Sequence, residues 1–300
     1  MASPLPTLRQ LQYFVALSEN LSFVRAAQAC NVTQSTLSGG LADLENALGE
    51  KLFDRSSRGV TLTKTGKTLL APARDLLGRA EIFVATARQN RDPLTGPLGF
   101  GIIPTIAPYV LPLLLPALQN HYPALQLHLR EDTTARLLDL LDRGEIDAVL
   151  MAFPYELAQA DRLDLWKENF MVAVPENRAG QFKKTTPAAL AEETLLLLDD
   201  GHCLRDHAMA ACRLQSAARQ KTFGATSLPT LIQMVQHGFG ITLLPEMAVK
   251  NGAIPQGVAI QPFAAPQPTR QIGLAWRRGS PREKEFRLLG DFIVKTARPR

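Results

Sequence analysis

The chain has little sulfur and no long apolar run, and each shortage excludes a class of protein. Three cysteines among 300 residues are too few for a disulfide scaffold and fit a reducing compartment. The richest apolar stretch, Val110–Leu118, is interrupted by Pro112 and Pro116 and falls far short of the roughly 20 residues that cross a bilayer. The opening Met1-Ala2-Ser3-Pro4-Leu5-Pro6 has no basic region followed by an apolar core, so no signal peptide is expected. A cytoplasmic protein with no membrane partner is the expectation.

What is present fits a soluble protein of more than one domain. Apolar residues make up 46% and charged residues 20%, an ordinary globular balance, and the length exceeds what one core usually organises. The net charge of +5 is unevenly spread. Residues 51–67 carry five bases (Lys51, Arg55, Arg58, Lys64, Lys67) against Asp54 alone, and residues 265–300 carry nine against three acids. The first zone points to nucleic acid at that end of the chain, whereas a solvated surface explains the second equally well.

Apolar spacing predicts a first helix over 7–18 behind Thr7, a short second helix Phe23–Ala29 behind Ser22, and a third from Gln34 to about Leu48. Thr33 stands at the start of that third helix and Gly49 at its stop. Two helices joined by the tight turn Cys30-Asn31-Val32 form a helix-turn-helix, whose second helix enters the major groove. Thr33, Gln34, Ser35, Thr36 and Ser38 are the candidates to reach base edges and phosphates. Gly39-Gly40 costs a helix about 1 kcal/mol per glycine, and close approach to the sugar-phosphate wall would explain it. A hairpin across Ser56-Ser57-Arg58-Gly59 then supplies a wing, with Arg55 and Arg58 placed for the minor groove. Cys30 reads as a packed thiol. Behind Thr63 a helix runs from Lys64 to about Asn90. In it Leu69, Ala73, Leu76, Ala80, Phe83 and Ala87 form a heptad seam that calls for a second copy of the same helix.

The domains expected are a winged helix-turn-helix over 1–63, a dimerisation helix over 64–92, a hinge over 93–98 and a regulatory domain over 99–300. In the last, strands and helices alternate, which predicts an α/β fold with a mostly parallel sheet. It should form two lobes, about 99–165 with 268–300 and about 166–267, around a ligand cleft.

The stretch Gly201-His202-Cys203-Leu204-Arg205-Asp206-His207, followed by Cys212, carries the chemistry. Cationic neighbours and a helix start favour a thiolate at Cys203. If the segment between the cysteines is helical, nine steps of ~1.5 Å separate them by roughly 13 Å, beyond the ~7 Å that a disulfide tolerates. Joining them requires the segment to unwind, as a redox switch would. Two inert core thiols remain an alternative. So does a metal site on His202, Cys203, His207 and Cys212, although no common ligand spacing matches. Thr105 and Thr133-Thr134 also begin helices after strands. With Cys203 they offer hydroxyls and N–H groups to an anion or peroxide, or they simply cap.

Taken together, the helix-turn-helix, wing, long helix and two-lobed domain resemble the LysR-type transcriptional regulators over nearly the whole chain. The run Gly201–Asp206 with Cys212, together with Ala225-Thr226-Ser227-Leu228 and Gly240–Pro245, is similar to the hydrogen-peroxide-sensing branch of that family. The resemblance implies a DNA-binding regulator rather than an enzyme, with Cys203 as peroxidatic and Cys212 as resolving thiol. It sets Thr105, Thr134, His202 and Arg270 around the peroxide. It implies double-stranded DNA, hydrogen peroxide, RNA polymerase and thioredoxin- or glutaredoxin-type reductants as partners, with dimers through 64–92 assembling into tetramers. It implies no cofactor and no metal. A LysR-type regulator of a small organic acid and a thiol peroxidase are the competing readings.

Overall fold

Thr7 opens α1 (Leu8–Asn20) through a capping box, its hydroxyl accepting from the Gln10 amide while the Gln10 side chain returns to the Thr7 backbone. The computed structural model describes residues 5–56, 59–87, 93–199, 201–211, 225, 227–251 and 254–298. It divides into two units, 1–90 and 91–300. In the first, Ser22 caps α2 (Phe23–Ala29), and Thr33 caps α3 (Gln34–Leu48), which stops on Gly49 at φ +70°. Leu17, Ala26, Leu37, Leu41 and Leu44 are fully buried together and close the three helices on one core.

β1 (Phe53–Ser56) and β2 (Gly59–Leu62) pair antiparallel as the expected wing. Arg58 lies outside the described residues, and only the backbone of Arg55 is described. The wing is tied to α3 by a residue that the sequence did not flag. Glu45, 3% exposed, accepts from the Leu52 and Phe53 amides at 2.8 and 3.3 Å and pairs with Lys51 at 2.9 Å. Burial pushes its carboxyl up, but Lys51 and the two amides outweigh that and hold its pKa below the ordinary range.

The glycine pair has a different explanation from the one expected. A Cβ on Gly40 would come within 2.7 Å of the Tyr13 ring, whereas one on Gly39 would meet nothing within 4 Å. Gly40 is required by the packing of α3 on α1 inside the unit, and only Gly39 faces open space.

α4 spans Lys64–Ala87 behind Thr63, whose hydroxyl accepts from Gly66 and donates to the Lys51 carbonyl. Its expected continuation to Asn90 lies outside the described residues. The heptad seam is not uniform. Ala73 is buried in the winged unit's core with Leu69 packed on it, while Leu76 and Phe83 are 50% and 78% exposed. The first turns of the seam are used within the unit, whereas Leu76 and Phe83 are left exposed.

The second unit is built on a seven-stranded sheet: β4 (Leu125–Glu131), β3 (Gly96–Ile102), β5 (Ala148–Phe153), β9 (Thr269–Arg277), β6 (Ala160–Pro175) and β7 (Thr242–Pro245) in order, with β8 (Val258–Pro262) also on β6. The expectation of a mostly parallel sheet is wrong. Among the named strands only β3 pairs parallel, with β4 and β5, while β5 with β9 and β6 with β7, β8 and β9 are antiparallel; isolated parallel bridges join Thr185 to Phe263, Leu195 to Ile241 and Leu198 to Ala225. The cause is the 16-residue β6, whose first part pairs with β9 and whose last part lies between β7 and β8. One strand thus serves both lobes, and β7, β8 and β9 all run against it.

Two apolar cores result. The first includes Phe100, Val149, Leu274 and Phe286. The second includes Val172, Leu196, Leu231 and Leu243. α5 (Ala107–His121), α6 (Thr134–Asp142) and α10 (Glu283–Ala297) contribute to the first core; α7 (Cys203–Ala211), α8 (Leu228–Gln236) and α9 (Glu246–Asn251) contribute to the second.

Candidate functional site: a buried thiol between two lobes

Cys203 is the first residue of α7 and a free thiol, 2% exposed. Its helix is shared between the lobes: Cys203 belongs to the first core, while Leu204 and Ala208 belong to the second. Of the four residues proposed for the pocket, Thr134 and Arg270 act on the sulfur, Thr105 is reached through Arg270, and His202 precedes the thiol in the chain. Thr134 opens α6 and is 1% exposed. Its hydroxyl acts on the Cys203 sulfur without closing a full hydrogen bond. Arg270, 1% exposed on β9, donates to the Thr105 hydroxyl at 3.0 Å and to the Thr105 carbonyl at 3.2 Å. His202 immediately precedes the thiol and is buried.

Thr105 does not open a helix, as its position after a strand suggested. α5 begins at Ala107, with Ile106 at the cap position and no side-chain cap. Its hydroxyl serves Arg270 instead. Thr133 does occupy the cap position of α6, but its side chain makes no capping bond.

The sequence missed the residue that holds Arg270 in place. Glu168, on β6, pairs with the Arg270 Nε at 2.8 Å, the two side chains being 3% and 0% exposed. Its other oxygen accepts from the Met247 amide at the start of α9. The signal was available: Trp166, Glu168 and Phe170 are alternate residues of one strand and all are buried, so a charge stands on the inward face. Tyr109 also lies here, its phenol raised by burial with Arg270 opposing and Glu168 reinforcing.

The electrostatics correct the expected thiolate. Burial pushes the Cys203 thiol above its ordinary value; Thr134, Arg270 and the Ala152 backbone pull it back, and Asp206 pushes it further up. His202 and His207 are not the cations that the sequence suggested. Burial lowers both, with Asp199 opposing at His202 and the Pro154 carbonyl opposing at His207. Burial therefore opposes charge on the sulfur and on both imidazoles, and the one arginine acting on the sulfur is already paired with Glu168. Cys212 lies outside the described residues.

A winged helix-turn-helix followed by a two-lobed α/β domain with a polar interlobe site defines a bacterial transcription regulator with a sensing domain. Residues 8–67 match the bacterial regulatory helix-turn-helix protein, lysR family, and residues 91–298 match the LysR substrate binding domain. The chain belongs to the LysR family. It is 41% identical over 287 residues to the DNA-binding transcriptional dual regulator OxyR of Escherichia coli (strain K12), covering 95% of this chain and 94% of that protein. Among solved structures it is similar to a full-length OxyR variant from Pseudomonas aeruginosa, with TM-score 0.79, 36% identity and coverage of 98% and 97% of the two chains. A hydrogen peroxide-bound OxyR variant from Corynebacterium glutamicum matches with TM-score 0.66, 37% identity and coverage of 98% and 93%.

Proposed function

We propose that the chain is a peroxide-responsive transcription regulator in which Cys203 is the sensing thiol and Cys212 its resolving partner. The observation that carries this reading is the buried free thiol of Cys203 at the start of α7, where Thr134, Arg270 and the Ala152 backbone oppose the burial that raises its pKa. The Cys203 thiol gives up its proton, the thiolate attacks the near oxygen of hydrogen peroxide, and the O–O bond breaks. The leaving hydroxide takes up a proton and departs as water, leaving a sulfenic acid at Cys203. Arg270 and His202 donate toward the departing oxygen, while Thr105 and Thr134 orient the peroxide. The Cys212 thiol then attacks the Cys203 sulfur, a second water leaves and the disulfide forms. α7 must unwind for this, because its nine residues extend ~1.5 Å each. A dithiol reductant of the thioredoxin or glutaredoxin type restores both thiols.

Dimers form through α4, whose exposed Leu76 and Phe83 are the unpartnered remainder of the seam. The exposed Gln34, Ser35 and Thr36 read operator DNA, whereas the Thr33 hydroxyl, occupied with the Thr36 amide and with the Ser35 and Thr36 hydroxyls, positions them. The organic-acid reading is disfavoured on charge. Arg270 is already neutralised by Glu168, so a buried carboxylate ligand would lack a counter-ion, whereas a neutral peroxide needs none.

Intact-mass measurement tests the reading. Stoichiometric peroxide should remove two hydrogens from the wild type, and neither Cys203→Ser nor Cys212→Ser should show the loss. Cys203→Ser should still bind operator DNA but no longer change transcription with peroxide. Unaltered peroxide induction in that variant would sink the proposal.

A further inference from the structure

α7 is held to the first lobe at two points of one strand end. The Cys203 sulfur lies by the Ala152 backbone of β5. One turn later, His207, 6% exposed, places its Nε2 2.8 Å from the carbonyl of Pro154, just beyond the same strand. The adjoining face of the helix, Leu204 and Ala208, is embedded in the second core. A carbonyl can only accept, so the neutral His207 carries its proton on Nε2. Its Nδ1 is buried with no hydrogen-bond partner among the described residues.

We propose that His207 is a positioning residue, a latch that keeps α7 folded against the first lobe and thereby sets how fast the Cys203 sulfenic acid reaches Cys212. The inference rests on the disulfide switch proposed above. Closing the disulfide unwinds α7 and breaks the bond to Pro154, leaving a buried donor and acceptor to find other partners. A buried hydrogen bond of this kind is worth roughly a factor of ten in the opening equilibrium.

The latch is also acid-sensitive. A second proton would go to Nδ1, which has no acceptor among the described residues. Arg270 on β9 opposes that charge, whereas Asp206 on the same helix and the Pro154 carbonyl favour it, and burial opposes it most. The imidazolium is therefore better accommodated once α7 has left its seat. Acid loosens the helix; it also lowers the thiolate fraction at Cys203, a change that His207→Gln shares and that a ratio of the two closure rates cancels.

Stopped-flow oxidation of the full-length protein separates the steps. Sulfenic acid formation is followed by dione trapping in the Cys212→Ser background, and disulfide closure with both cysteines present. His207→Leu should close the disulfide roughly tenfold faster while forming sulfenic acid at the parent rate. His207→Gln keeps a side-chain N–H for Pro154 and should close near the wild-type rate. The wild-type closure rate divided by that of His207→Gln should rise as pH falls from about 7.5 to 5.5, bracketing the ordinary imidazole value. Equal closure rates in wild type and His207→Leu, a flat ratio, or a slowed sulfenic step in His207→Leu would each overturn the latch. Should His207→Leu fail to fold, the pH ratio with His207→Gln decides. Absence of sulfenic acid at Cys203 in the otherwise native chain would instead remove the switch beneath it, a distinct result.

Discussion

Glu45 in the DNA-reading unit and Glu168 in the regulatory unit are both buried carboxylates that collect donors, but they collect them over different distances. Glu45 gathers Lys51, Leu52 and Phe53, all within eight residues of itself. Glu168 gathers Met247 and Arg270, separated from it by 79 and 102 residues. One carboxylate finishes a local turn of structure. The other joins β6, β9 and the start of α9, and through Arg270 it reaches Thr105 and the thiol. The difference in span implies a difference in consequence: damage at Glu45 should remain in its unit, whereas damage at Glu168 should reach stability and chemistry together.

The largest effect is expected from Glu168→Ala. Removing one partner of a fully buried pair leaves Arg270 uncompensated and should cost about 3–5 kcal/mol in urea unfolding of the regulatory unit. It should also slow Cys203 oxidation, because Arg270 loses its orientation. Glu45→Ala leaves two buried amides without an acceptor and should cost about 1–3 kcal/mol; its cation, Lys51, is 71% exposed and adds little. DNA affinity should fall with it while oxidation by peroxide stays at the wild-type rate. A slowed oxidation in Glu45→Ala would erase the distinction between a local and a long-range anchor.

Acid separates the two units by a second route. His202 and His207 have folded pKa values lowered by burial, so the unfolded chain takes up their protons first. Their contribution is complete above about pH 6.5 and is lost as pH falls through the window below that. Glu45 has a lowered carboxyl pKa, so its contribution is complete above the ordinary carboxylate value and is lost only as pH falls through the window beneath about 4.3. Hydrogen exchange, corrected for intrinsic rate, should show α7 losing protection between about pH 6.5 and 5 while α3 keeps it. Simultaneous loss in both would show that other groups control the acid response.

The same contrast explains which parts were legible in the sequence. Thr7, Ser22, Thr33 and Thr63 cap the helices that their spacing suggested, because a cap acts on the next three residues and its signature is contiguous. In the regulatory unit, Thr105 and Thr134 were brought to Cys203 by their places after strands, whereas His202 and Arg270 came from family resemblance, since no local pattern links positions so far apart. What resemblance left unseen was the support around them: Glu168, the Ala152 backbone and the Pro154 carbonyl. Reading Cys203 from its neighbours His202, Arg205 and His207 and from its helix start gave the wrong direction for its pKa. Charge along the chain says nothing of burial, and burial is the leading influence on all three groups.

The smallest effects come from neighbouring glycines whose environments differ as the two carboxylates do. Alanine in a helix interior is favoured over glycine by about 1 kcal/mol. Gly39→Ala meets nothing within 4 Å and should realise that gain. Gly40→Ala places its methyl 2.7 Å from Tyr13, a residue 4% exposed whose hydroxyl is held by Arg9 at 2.9 Å. Overpacking of about 1–3 kcal/mol should cancel or exceed the gain. Thermal unfolding ranks the pair, and operator binding then gives the exposed glycine a meaning. If Gly39→Ala is more stable yet binds DNA more weakly, that position is kept bare for the duplex, and α3 answers to a surface outside its own fold. If stability and affinity rise together, both glycines are matters of the unit's internal packing and helix propensity alone.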